Sequence, residues 1–277
     1  EGEARGEGHT AGAERDRRVT RMIGTLVRRS AKAAVLPAGL LSRRRPGDVV
    51  ILLYHRLGEE QSEIELSASA FGRHLEALVR NQRPPTLDDA LAGRGGVVVT
   101  FDDGTRDFHE LALPLLVRHR VPALLYLETG GVAGPGNPGG LTWDHLAEAV
   151  ASGLITIGSH THDHADLSRA TRPEAEDQMR RSKELVEDKL GVACTHFAYP
   201  WGVGSPGADE AARSLFATAA LDAWRTNRRG RIDPYRLGRV PVLRSDGQVF
   251  FRAKAGGRLD AERIVYRAFG RGPWRAR

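Results

Sequence analysis

Asp102 and Asp103, followed by Gly104, close the apolar run 97–101 (VVVTF). Two adjacent carboxylates at the carboxyl end of a buried strand stand where barrel enzymes keep their reactive groups. The plainer reading of the same residues is a turn, in which Asp and Gly are common. Downstream, His160-Thr161-His162-Asp163-His164 follows the run 154–157 and places three of the ten histidines within five positions. His160 and His164 are four apart, so one turn of helix would point both imidazoles the same way. With the Asp103 carboxylate they offer two nitrogens and one oxygen. Three protein ligands leave positions open for water, the pattern of catalytic rather than structural zinc. Neighbouring side chains diverge, which leaves Asp102 to act as general base on water activated by such an ion. His162 reads as a neighbour of the site and not a ligand, with Asp163 and Asp166 as partners behind the ligands.

Two more residues belong to the same argument. His55 ends the run Val49–Tyr54 and would reach the same rim, although a lone strand-end histidine is commonly just a hydrogen-bonded structural residue. Tyr199-Pro200-Trp201-Gly202 ends another run; such a turn can present the Trp201 backbone N–H and a ring on which a sugar stacks, or it can be a bare turn.

The elements that must position these groups form a rhythm of short apolar runs: Val49–Tyr54, 97–101, Ala123–Leu127, 154–157, 196–199 and 215–219. Continuous rather than alternating apolar runs indicate strands buried on both faces, as in a parallel sheet covered by helices. One intervening helix is signed by Thr171-Arg172-Pro173-Glu174 at its start and Gly191 at its end, another by Thr142-Trp143-Asp144 and Gly153. The stretch 130–140, rich in Gly with two Pro, reads as a loop. The fold expected is α/β, a distorted (β/α) barrel of mostly parallel strands with basic amphipathic helices at both ends.

Length and charge bound the rest. The chain has 277 residues, 40% hydrophobic and 27% charged, which favours a packed domain over global disorder. No apolar run approaches the ~20 residues of a membrane-spanning helix. The single cysteine, Cys194, excludes an internal disulfide and a cysteine-built zinc module. The net charge of +6 divides into +6 over 1–46, −6 over 47–251 and +6 over 252–277. Three segments follow: a disordered to amphipathic basic arm (1–46), a barrel (47–251), and a C-terminal basic helix packed on it (252–277), with 259–269 as its amphipathic core. The acidic body gives no strong nucleic-acid signal, whereas the basic ends allow peripheral contact with an anionic membrane. Basic residues precede the short apolar stretch 33–41, but no small-x-small cleavage site follows, so a cytoplasmic or membrane-peripheral location is favoured over export.

Taken together, Thr100-Phe101-Asp102-Asp103-Gly104, Gly158-Ser159-His160 with His164, and Phe197-Ala198-Tyr199-Pro200-Trp201-Gly202 resemble the first three motifs of the polysaccharide deacetylases (carbohydrate esterase family 4, the chitooligosaccharide deacetylase homology domain). Tyr54-His55-Arg56 and Leu141-Thr142-Trp143-Asp144 resemble stretches of its bacterial members, and the likeness runs from about 49 to 243. The resemblance implies a distorted (β/α) barrel and metal-dependent removal of acetyl groups from an N-acetylated sugar or glycan. It maps the metal ligands onto Asp103, His160 and His164, the general base onto Asp102, and the oxyanion-stabilising turn amide onto Trp201. The cofactor implied is a divalent metal, Zn²⁺ first, with Co²⁺, Ni²⁺, Fe²⁺ or Mn²⁺ as alternatives. Two departures stand out. The family's third motif often carries an arginine that orients the base; here Ala198 stands there, and Arg239 is the candidate replacement. No histidine follows His196 to serve as the usual C-terminal general acid. In the branch resembling bacterial poly-N-acetylglucosamine deacetylases a first-strand histidine takes that role, which points to His55. The competing readings are a catalytically inactive carbohydrate-binding barrel and a membrane- or nucleic-acid-surface binder acting through the basic ends.

Overall fold

A computed structural model describes residues 44–58, 62–132 and 140–258, together with Ser30 and Ala33. Of the arm expected at 1–46 only Ser30, Ala33 and 44–46 are described; the helix expected at 259–269 and positions 133–139 of the glycine-rich loop lie outside the described residues. In chain order the strands are β1 (Val49–Tyr54), β2 (Arg56–Leu57), β3 (Glu65–Leu66), β4 (Gly96–Phe101), β5 (Ala123–Leu127), β6 (Ile155–Ser159), β7 (His196–Ala198), β8 (Thr218–Leu221) and β9 (Leu237–Pro241). The main helices are α1 (Ala68–Asn81), α2 (Leu113–His119), α3 (Trp143–Ala151), α4 (Arg172–Leu190), α5 (Pro206–Leu215) and α6 (Gly247–Ala255).

Strands β1, β4, β5, β6, β7, β8 and β9 pair in that order, all parallel, and β9 returns to β1 to close a barrel. The period of two along each strand sorts the apolar residues into two layers. Val49, Ile51, Val98, Leu124, Tyr126, Ala198, Ala220 and Leu237 form the inner cluster. Val50, Leu52, Tyr54, Val99, Phe101, Leu125 and Phe197 face the helices in the outer one. Burial on both sides is why the strands read as unbroken apolar runs. Gly158 is an inner position with no room for a side chain: a Cβ there would lie 2.9 Å from both the Tyr126 ring and the His196 carbonyl.

Register decides what the rim receives. Tyr54 pairs with Phe101, so His55 and Asp102 leave the sheet side by side. Leu127 pairs with Ser159, and the His160 N–H donates to the Leu127 carbonyl at 2.9 Å. Ile51 pairs with Arg239, so Arg239 shares the inward side with Ile51.

The helices expected at 142–153 and 171–191 are α3 and α4. Glu174 accepts the Thr171 N–H at 2.8 Å, and Gly191 ends α4 in a left-handed conformation. Two strand expectations shift. The run at 215–219 is divided: Ser205 caps α5, which absorbs Leu215, and the strand begins only at Thr218. Strand β9 is no apolar run at all, because Gly238, Arg239 and Pro241 interrupt it. Helix α6 spans the expected junction at 251/252, and Lys254 ties it down by donating to the Pro241 carbonyl and to Asp246, each at 2.8 Å. Among the described residues no helix is long and apolar enough to cross a membrane.

Candidate active site

Strand carboxyl ends supply the candidate ligands and both candidate proton carriers, Asp102 and His55. Asp103 follows β4 and bends the chain with φ 71°, a left-handed conformation that an L side chain adopts at some cost. His160 follows β6, and Thr161 (φ 69°) and His164 (φ 52°) curl the next loop back over it. The segment 160–166 is not helical, so the two imidazoles meet through this left-handed loop and not through the helical turn their spacing predicts. Asp103 Oδ1 lies 3.7 Å from His160 Nε2 and 3.5 Å from His164 Nε2. One donor atom from each residue falls within 4.8 Å of the others. Ligands bound at ~2.0–2.2 Å in a tetrahedron are about 3.4 Å apart, so the donor set fits a single divalent ion. His160 is further fixed because its Nδ1–H donates to the Ala198 carbonyl at 2.8 Å, which leaves the Nε2 lone pair facing Asp103.

Behind this set lies a buried chain of charges. Arg239 Nη1 donates to Asp102 Oδ1 at 2.6 Å, and Arg239 Nη2 donates to Asp222 Oδ1 at 3.0 Å. The guanidinium is completely buried and lies 5.2 Å from the Tyr126 ring centre. The second oxygen of Asp102 remains toward the histidines, 3.7 Å from His160 Nε2 and 3.9 Å from His55 Nε2.

These contacts set the charge states. Burial would push the Asp102 carboxyl up, but Arg239, with His160 and His55, overrides it and holds Asp102 below the usual carboxylate range. Asp103 goes the other way: burial, then the charges of Asp102 and Glu128, push it up to about 7. Burial pulls His160 down to about 4 and His55 to about 3, so both imidazoles are neutral at physiological pH. Neutral imidazoles and a carboxylate that lacks a cation are the electrostatics of a metal site.

The remaining expected residues sort as follows. His55 is buried beside Asp102, and Trp201 stands at φ 59° with its ring edge-on to His164 at 4.9 Å. Trp201 is 39% exposed, and its backbone N–H donates to no described residue. His162 is indeed off the ligand set, bonded through Nδ1 to Thr129 at 2.9 Å. Asp163 and Asp166 do not stand behind the ligands. Asp163 faces α4, with Gln178 and Arg181, and Asp166 accepts the Ser168 N–H, because the left-handed loop turns both outward. The residue that backs His160 is Ala198, through its carbonyl. Asp222 escapes a motif-based reading altogether; its one sequence signal is its place just after the strand β8.

A closed parallel barrel with a carboxylate, two imidazoles and a cation-held second aspartate at its carboxyl ends defines a (β/α)-barrel protein with a candidate mononuclear metal centre. Residues 92–220 match the model of the polysaccharide deacetylase family, the family that the motifs resemble. The solved structure of IcaB from Ammonifex degensii superposes with a TM-score of 0.66 at 29% identity, covering 76% of this chain and 97% of that one. Deacetylase PplD of Streptococcus pyogenes, solved in complex with acetate, shares the fold with a TM-score of 0.69 at 20% identity, over 76% of this chain and 99% of that one. In Bacillus subtilis (strain 168), the protein named "Putative polysaccharide deacetylase YxkH" is 26% identical over 171 residues, 58% of this chain. The match spans 60% of that relative's length.

Proposed function

We propose that this chain is a metal-dependent hydrolase that removes N-acetyl groups from an N-acetylated sugar or glycan. The observation that carries the reading is the convergence of Asp103, His160 and His164 beside an Asp102 kept ionised by Arg239. Asp103, His160 and His164 would hold the ion, with Zn²⁺ the first candidate for a set of two imidazoles and one carboxylate. When bound, the ion supplies Lewis-acid polarisation and a water of lowered pKa.

The protein's own part is proton traffic and positioning. Arg239 occupies Asp102 Oδ1, so Oδ2 is the atom that takes the proton of the attacking water. His55, neutral at rest and 3.9 Å from that oxygen, takes this proton from Asp102 and passes it to the departing amine nitrogen, so that both groups return to their starting states. The Trp201 N–H is the donor for the developing oxyanion, and its exposed ring gives the sugar a face to stack on. Arg239, reaching inward from β9, does the orienting that Ala198 cannot.

The test is acetate release from acetylated glycans and small N-acetyl amino sugars. Release should stop with a chelator and return with added Zn²⁺ or Co²⁺. Absence of release on every substrate with metal bound would leave the inactive carbohydrate-binding barrel as the better account. His55→Ala should lower turnover by about 10²–10⁴ with metal content intact; a fully active variant removes His55 as the acid.

A further inference from the structure

Asp222 lies outside the three motifs, yet it is a carboxylate sunk into the site. Its side chain is 8% exposed, and it holds Arg239 Nη2 at 3.0 Å while the other arm of the same guanidinium holds Asp102. On its other side it packs against the turn that carries Trp201: a Cβ placed on Gly202 would fall 2.6 Å from Asp222 Cγ and 2.7 Å from its backbone N. Gly202 itself has φ 67°. Just beyond Asp222, the Trp224 N–H donates to the Arg239 carbonyl at 2.9 Å, so the backbone after β8 is locked to the residue whose side chain Asp222 grips. Nothing about a barrel wall needs an anion at this point, and burying one is costly unless it is paired. Burial lifts the Asp222 carboxyl to about 6 in spite of Arg239.

A guanidinium on a long flexible stem does not choose its rotamer unaided. With Asp222 holding Nη2, the guanidinium is turned so that Nη1 meets Asp102 Oδ1. We propose that Asp222 is a positioning residue: wedged between Arg239 and the Gly202 turn, it fixes the guanidinium against Asp102 and ties the proton-accepting aspartate to the turn of Trp201. The role rests on the proposed deacetylase reading and adds to it a residue that acts through another without touching substrate.

The experiment is a double-mutant cycle on the zinc-loaded protein, with kcat, KM and bound metal measured for each form. Asp222→Asn and Asp222→Ala should each lower kcat by about 10–100-fold with KM and metal content unchanged. In an Arg239→Ala background, adding Asp222→Ala should change kcat by less than about twofold, because the residue through which it acts is gone. Guanidinium added to Arg239→Ala should restore part of the turnover, and restore less when Asp222 is also replaced. Should Arg239→Ala fail to fold, Arg239→Lys serves as the background and the same loss of coupling is expected. Losses that multiply independently, or metal that disappears with Asp222→Asn, overturn the role. An active wild type with an equally active Asp222→Asn overturns the role alone, whereas a wild type that releases no acetate overturns the proposed reaction as well.

Discussion

The two ends of the barrel use the same residue types to opposite effect. At the amino end, Asp48 is buried just ahead of β1 and is fully answered: the Arg45 and Arg229 N–H groups and Arg228 Nη1 each donate to it at 2.9 Å. Burial alone would raise its carboxyl, yet these donors hold it below the usual range. His196, buried at the same end, bonds Thr218 at 2.9 Å and faces Asp88 at 3.5 Å. The cavity beside it is only about 10 Å³, lined by Asp88, Val98, Leu124 and Thr156 among others. At the carboxyl end, Asp103 is half-buried, no Lys or Arg pairs with it among the described residues, and its carboxyl rises to about 7. The backbone differs in the same sense. Five of the six non-glycine residues with left-handed φ among the described residues follow strand carboxyl ends, namely Asp103, Thr161, His164, Trp201 and Trp224, and only Arg120 lies at the other end. Turns at the amino end, such as those at Gly47 and Gly95, use glycine for the same conformation. One end is relaxed and electrically complete; the other stores strain and lacks a positive charge.

The comparison is broken most directly by removing the ligand that lacks its cation. Asp103→Ala should abolish stoichiometric metal and lower deacetylation by 10³ or more, roughly the whole contribution of an activated water. Metal analysis and acetate release read both, and retained metal would place the ion elsewhere. One residue earlier the outcome should differ. Asp102→Asn keeps the bond from Arg239 to an amide oxygen but cannot take a proton. It should retain metal while turnover falls by about 10²–10⁴. Undiminished turnover would remove Asp102 as the base. The matching change at the other end, Asp48→Ala, should leave kcat and metal unchanged and cost about 1–3 kcal/mol of unfolding free energy, since it strips the acceptor from three donors. A loss of turnover there would mean that the ends are not independent.

What could be read from the residues alone follows the same division. Strands buried on both faces announce themselves as apolar runs, and the runs locate their own ends, so Asp102, Asp103, His160 and Trp201 were visible as rim residues. Their convergence in space depends on backbone angles that residue type does not encode. The approach of His160 and His164 rests on left-handed φ at Thr161 and His164, where the spacing of four predicts a helical turn. The same loop carries Asp163 away to Gln178, against the expectation that it backs a ligand. Strand β9 hid because its central inward residue is Arg239, a charge that reads as loop until its partners Asp102 and Asp222 are known. Asp222 itself becomes meaningful only through the register that sets Leu221 opposite Gly238.

The smallest expected effect separates the ends by sign. A carboxyl held below its ordinary pKa, as in Asp48, stabilises the fold above the unfolded value of about 3.9, and the benefit is lost as pH falls through the folded value. A carboxyl raised to about 7, as in Asp103, does the reverse. In metal-free protein the folded state holds that proton more tightly than the unfolded chain does. Its contribution is therefore full at low pH and is lost as pH rises toward 7 and beyond. At pH 8 the bare Asp103 anion is a burden on the fold, and Asp103→Asn should lift it without disturbing the backbone, since Asn tolerates left-handed φ. With chelator at pH 8 the variant should melt about 2–4 °C above wild type, the shift that about 1 kcal/mol produces in a domain this size. Asp48→Asn should melt below wild type under the same conditions. Adding Zn²⁺ should reverse the order at the rim, stabilising wild type and leaving Asp103→Asn where it was. A metal-free Asp103→Asn that is no more stable than wild type at pH 8 would mean that Asp103 is already satisfied within the protein, and the contrast between the two ends would reduce to backbone strain.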